Sequence, residues 1–346
     1  MSRPTLPKNA TSSKLLLGTV LVLLSAVFLA MQNVISRLFF VPSSLFGYFQ
    51  MGGWLTSQFS NIVMLLSLRM GLMAVLLAIA APRLYPNTFG AIGRLTRHTQ
   101  LLGYAVGSGT CLFVGLTALY FSLSQVVAGV AIATFFIYPA ITLLLAWHFL
   151  QQRPRIYQLS LMLLIFCGVV LTAFGTTTTT AIPSNPTLGI LSGLVAGLSF
   201  GVYGIFAEIV LQPSKVQSKQ QRQSSQTLHP VPFSLVTFVI VSALGSVSLL
   251  FMPAIEVAAS AWKSVLLTTL FSALITVTAY VLNNFGIQLI GASLTALISA
   301  SAPALTALFA WVALQESLRS QQILGVAIVT AGVAALSIKS KTKRSD

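Results

Sequence analysis

Ten runs of about twenty mostly apolar residues follow one another along this chain, and that succession fixes the solvent its fold must satisfy. The runs are 15–38, 60–82, 100–122, 126–150, 157–176, 187–211, 231–252, 263–288, 292–314 and 321–338. As a helix, each is long enough to cross roughly 30 Å of hydrocarbon. Lipid cannot hydrogen-bond a bare backbone, so the runs are expected to be helices rather than open strands. Their continuous apolarity, without alternation, excludes a β-barrel. Only 23 of the 346 residues are charged (19 Lys and Arg, 4 Asp and Glu), whereas a soluble domain carries roughly a quarter. The expected fold is an all-α integral membrane protein with ten transmembrane helices. The first run continues to about Phe40, too long for a signal peptide, and reads as a retained span. Residues 41–59, rich in glycine and aromatics, read as a loop or short interfacial segment.

The net charge of +15 does not point to nucleic acid, because the basic residues sit in short links instead of on one face. With the N-terminus placed inside, fifteen lie in inside segments: Arg3, Lys8, Lys14, Arg83, Arg94, Arg97, Arg153, Arg155, Lys215, Lys219, Arg222, Lys339, Lys341, Lys343 and Arg344. Lys263, Arg319 and Arg37 fall outside, and Arg69 lies within a span. This bias predicts cytoplasmic termini. Cys111 and Cys167 are single residues in apolar runs and read as packing. No pattern for a metal, a cofactor or a Walker-type ATP loop is present.

The chain also writes one segment twice. "PAITLLLAWHFLQ" at 139–151 returns as "PALTALFAWVALQ" at 303–315, with eight of thirteen positions identical at an offset of 164. At the same offset Phe121 matches Phe285, Ala128 matches Ala292, Arg155 matches Arg319 and Gly168 matches Gly332. A weaker register aligns Leu17–Gly18 with Leu188–Gly189. The expected organisation is a cytoplasmic N-terminal segment (1–14), two five-helix repeats (15–180 and 185–338) and a basic cytoplasmic tail (339–346). Five is odd, so the second repeat must enter the membrane from the opposite side, which is the inverted-repeat architecture of many secondary transporters. Pro139 and Pro303 are expected near the middle of the fourth and ninth helices. There each would free a carbonyl, that of Phe135 or Ser299, at a central site or merely kink its helix.

The doubled proline–tryptophan segment on ten helices resembles the drug/metabolite transporter superfamily in its EamA-type ten-helix branch, over roughly 15–338. The resemblance implies movement of small metabolites, often amino acids or related compounds, across the bacterial inner membrane, often outward. It implies a cavity formed mainly by helices 1, 3, 4, 6, 8 and 9. The family usually ends helices 4 and 9 with glutamate; here Glu316 is present but Gln152 stands in the first copy. The loop between helices 1 and 2 is also longer than usual.

Candidate pathway residues are Pro139, Pro303, Ser299, Ser301, Tyr120, Asn284, Asn33 and Tyr203, with Gln32 and Asn283 beside them. Asn284 occupies the repeat position of Tyr120. Neutral polar groups in lipid either tie helices together or face a cavity. Charge or coupling candidates are Arg69, Glu208 and His148. Arg69 either binds an anionic group, pairs within the protein, or snorkels to the outer headgroups. Glu208 either carries a proton or sits as a boundary carboxylate, solvated or paired with Lys215 or an arginine. His148 either titrates near neutral pH or is an interfacial residue. Two GxxxG spacings, 193–197 and 197–201, read as helix packing.

These features favour a secondary transporter, not an enzyme, for small organic metabolites, working by alternating access. Its partners would be a small-molecule substrate and membrane lipids, with candidate proton coupling, no cofactor and no nucleic acid; oligomeric state is not readable. A polytopic enzyme acting on lipid-linked groups would need acids, histidines or a nucleophile–base pair clustered at one depth. A receptor or scaffold would usually bring a soluble domain, and the longest hydrophilic segment, about 213–230, is a basic linker.

Overall fold

The computed structural model describes residues 8–40, 42–56, 58–125, 134–151, 154, 156–174, 186–212, 228–314 and 320–342. Its helices are α1 (Lys8–Phe40), α2 (Phe59–Leu84), α3 (Thr88–Leu95), α4 (Thr99–Gln125), α5 (Tyr138–Leu150) and α6 (Ile156–Phe174). They continue as α7 (Pro186–Leu211), α8 (Pro230–Leu249), α9 (Trp262–Ile290), α10 (Ala292–Ser299), α11 (Ala302–Leu314) and α12 (Ser320–Thr342). Among the described residues, seven helical stretches are long and apolar enough to cross a membrane. Three shorter apolar helices fall in the fourth, fifth and tenth expected runs. The protein is therefore a mostly helical integral membrane protein.

The interfacial segment contains structure that composition did not reveal. Strands β1 (Ser43–Leu45) and β2 (Phe49–Met51) form an antiparallel hairpin, with Ser43 opposite Met51 and Leu45 opposite Phe49. Phe46 and Gly47 supply positive φ at the turn, as a tight hairpin requires. The Phe46 N–H donates to the Ala313 carbonyl at 2.8 Å, tying the hairpin to the end of α11. The basic link 83–97 also holds an unexpected short helix, α3, which buries Thr88, Ala91 and Leu95 along one stripe.

The two copies of the repeated segment fold alike. Each copy has a two-residue turn, 136–137 or 300–301, then a helix of 13 residues with proline at its second position. The expected mid-helix prolines are thus helix starts, where the missing N–H removes no intrahelical bond. Residues 134–135 are helical, and 126–133 lie outside the described residues. In both copies the threonine three residues after the proline bonds back to a carbonyl: Thr142 to Tyr138 and Thr306 to Ala302, each at 2.8 Å. Ala146 and Ala310 are buried, while Trp147 and Trp311 are 49% and 52% exposed. The repeated tryptophans therefore cover the outer, apolar side of the bundle instead of lining its centre.

Helix partnerships are regular. α1 packs on α9, α4 on α7, α2 on α8 and α6 on α12; α5 packs on α7 and α11 on α1. The α2–α8 crossing is close because Gly245 lies against Ser67 and Gly71 against Ser242. α6 and α12 meet at Gly168 and Gly332, the pair matched by the repeat. The main core gathers Met70, Met73, Leu112, Phe238 and Ala273 between α2, α4, α8 and α9.

Candidate functional site

Polar side chains inside an apolar bundle must find partners there, because lipid offers none. The sharpest case is Arg69 on α2. It is 3% exposed, which rules out the snorkelling placement. Its Nη2 donates to the Tyr120 hydroxyl of α4 at 2.6 Å, and its Nη1 to the Ser36 hydroxyl of α1 at 3.2 Å. The Gln32 amide is oriented with Oε1 toward Arg69 Nη1, because the reverse would set two donors against each other. Its Nε2 then donates to Ser272 Oγ at 2.6 Å and Thr276 Oγ1 at 2.9 Å on α9. One charge is thus held by four helices, and every partner is neutral.

A second cluster lies on α7, α8 and α9. The Tyr203 hydroxyl donates to Asn284 Oδ1 at 3.0 Å, and Asn284 Nδ2 donates to Ser234 Oγ at 2.8 Å. All three are buried. Ser234 Oγ continues the chain to the Pro230 carbonyl, one turn back on the same helix, at 2.8 Å. A third set joins the two breaks to α9 and α10. Ser299 Oγ donates to Asn283 Oδ1 at 3.2 Å, and the Tyr138 hydroxyl donates to the Ala296 carbonyl at 3.3 Å. Ser301 Oγ folds back to the Ile298 carbonyl at 2.8 Å and finishes the turn before α11. Asn33 is exposed and donates to Thr306 Oγ1 at 3.1 Å.

Glu208 is not solvated: it is 0% exposed. Its Oε2 accepts from the Ala292 N–H at 2.7 Å, the first residue of α10. Gly291, at φ +89°, lets the chain turn over the carboxylate; a Cβ there would lie 3.1 Å from Oε1. The carboxylate therefore caps the positive end of a half-helix. Lys215, considered as its partner, lies outside the described residues, as do Gln152 and Glu316. His148 is exposed on the last turn of α5, its ring edge-on to Phe149, and joins none of these clusters.

The breaks themselves differ in surroundings. The Phe135 carbonyl, expected to be freed at a central site, lies against Gly197, where a Cβ would come within 2.8 Å of it. The aromatics before Pro139 pack inside the protein, Phe135 edge-on to Phe200 of α7 at 4.9 Å. Beside Pro139 is an apolar cleft of about 210 Å³ lined by Phe136, Ile137, Met162, Leu297 and Ala300. Pro303 is the second residue of α11. Sequence reasoning named Arg69, Tyr120, Tyr203 and Asn284 but not their ties. It passed over Ser36, Ser234, Ser272 and Thr276; the one available signal, polar side chains at four-residue spacing along apolar helices, marks Gln32–Ser36 and Ser272–Thr276 but not Ser234.

Residues 187–338 match the EamA-like transporter family. The chain is 36% identical over 326 residues to an uncharacterized transporter of Synechocystis, covering 93% of both chains. It belongs to the EamA-like transporter family. A protein of known crystal structure shares the fold over 96% of this chain and 97% of its own, with TM-score 0.64 at 16% identity. This EamA-like transporter is thus a membrane transporter and not an enzyme, and its buried polar clusters belong to a transport protein.

Proposed function

We propose that this EamA-like transporter is a secondary carrier that exports small organic metabolites, amino acids or related compounds, across a bacterial inner membrane. It works by alternating access between two inverted five-helix halves, 15–180 and 185–338, with both termini cytoplasmic. One observation carries the reading: the helix partnerships are unchanged when each span is exchanged for the one five spans away. α1–α9 then becomes α7–α4, α5–α7 becomes α11–α1, and α2–α8 and α6–α12 map onto themselves. Pairing of that kind suits two equivalent halves that rock about a shared axis. The solute path runs between α1, α4, α7 and α9, past Tyr120, Asn284, Tyr203, Ser299, Ser301 and Asn33, with the breaks at Pro139 and Pro303 as its hinges.

Proton coupling has one candidate carrier in the described spans, Glu208. Proteoliposomes holding the purified chain and a labelled amino acid pool test the reading. Flux without ATP, accelerated by unlabelled solute on the opposite side, is the expected result. Hydrolysis or group transfer without flux would refute it.

A further inference from the structure

A guanidinium in the apolar interior costs several kcal/mol unless an opposite charge or full hydrogen bonding compensates it. Arg69 has neither. Among the described residues it has no carboxylate partner, and its buried Nε–H has no acceptor. The described acids are engaged elsewhere. Glu208 caps α10, and Glu256 accepts from Gln58 Nε2 at 2.7 Å in the link before α9. Thr117, one turn before Tyr120 on the same face of α4, has a second buried hydroxyl without a partner. The cluster therefore holds a fixed positive charge and a free N–H on the guanidinium edge, between helices of both halves.

We infer that Arg69 is the receptor for the carboxylate of the transported metabolite. This rests on the reading of the protein as a carrier of small solutes. The free Nε–H together with a neighbouring Nη–H forms the two-donor edge that a planar carboxylate matches. One positive charge is neutralised by one carboxylate, whereas a phosphate dianion would leave excess negative charge in the bundle. Tyr120, Ser36 and Gln32 position the guanidinium, and their neutral oxygens hold it while no substrate is bound. In the conformation described the site is closed. A carboxylate reaches Arg69 when α1 and α4, which carry the present acceptors, part from α2.

The test uses purified full-length protein and matched probe pairs that differ only in charge: butyrate with butyramide, benzoate with benzamide, indole-3-acetate with indole-3-acetamide. Inorganic phosphate is a separate arm. Binding is read by calorimetry and by the rise in unfolding temperature. At least one carboxylate binds and its amide does not. Arg69→Gln weakens that binding about tenfold or more, and Arg69→Lys by less, since charge remains but the fork is lost. Tyr120→Phe keeps the ring and the charge, so it reports on the site even if Arg69→Gln fails to fold; its carboxylate affinity shifts while the amide still fails to bind. Equal binding of acid and amide, unchanged affinity in Arg69→Gln, or binding of phosphate alone would each overturn the inference. Flux of amides and carboxylates alike, indifferent to Arg69, removes this inference and leaves the carrier. Arg69-dependent carboxylate binding without any flux leaves the receptor and removes the carrier.

Discussion

At the scale of single residues, Glu208 and His229 show how a titratable group is held at a helix start. Glu208 accepts the Ala292 N–H with a carboxylate oxygen, and glutamine keeps an oxygen at that position. Glu208→Gln should therefore fold, losing only the charge-assisted part of the bond, about 1–2 kcal/mol in detergent unfolding. That makes it a clean probe of coupling: if Glu208 carries the proton, the variant's flux loses its pH dependence, and an unaltered pH profile leaves the residue as a cap alone. His229 stands immediately before the span that opens at Pro230. Its ring stacks on Tyr85 at 4.2 Å, and its Nδ1 accepts from the Val231 N–H at 3.3 Å. Burial pushes the imidazole below its ordinary 6.5. The unfolded chain thus takes up this proton first as pH falls, so the stability is full above about pH 6.5 and is lost through the window below it. His229→Asn, which retains a cap acceptor, should flatten the stability profile below about pH 6.5. A charge in an apolar run is conspicuous in sequence, which is why Arg69 and Glu208 stood out. Their partners are a hydroxyl 51 positions away and a backbone N–H 84 positions away, and no local pattern encodes either.

At the scale of elements, the helices followed from hydrophobic length, but their breaks did not. Proline was expected to interrupt a helix; it opens one, because the residues before it turn first. The hairpin at 43–51 was hidden because three-residue strands carry too little alternation to register. The GxxxG stripe was read as packing, and its contacts give that reading a measurable form. At Gly197 a Cβ would meet Ile137 Cγ2 at 2.7 Å and the Phe135 carbonyl at 2.8 Å, and a backbone carbonyl cannot rotate away as a side chain can. Gly197→Ala should cost roughly 1–3 kcal/mol by forcing α7 off the break. Gly103 on α4 has nothing within 4 Å, so Gly103→Ala should gain up to about 1 kcal/mol from helix propensity. Paired unfolding measurements check both. A similar loss at both positions would mean that the stripe is not what seats α7 against the first break.

At the scale of the whole molecule, the duplication was legible as identity at one offset, whereas its geometric consequence required contacts between helices far apart in the chain. The partnership map treats α1–α6 and α7–α12 as equivalents; with five spans in each half, as proposed, the odd number would turn equivalence into inversion. Inversion has a consequence that rigid duplication lacks: matched positions must face opposite compartments. Ile156 opens α6 and is 84% exposed, and its match at the offset of 164, Ser320, opens α12 and is also exposed. After replacing Cys111 and Cys167, a cysteine at 156 should react with an impermeant maleimide from the cytoplasmic face alone, and one at 320 from the opposite face alone. Each label is scored in sealed vesicles of known orientation, before and after permeabilisation. The basic residues concentrated beside 156 supply the sign, because positive links stay on the cytoplasmic side. Labelling of both positions from one side would make the halves parallel copies, and alternating access by exchange of inverted repeats would fall with them.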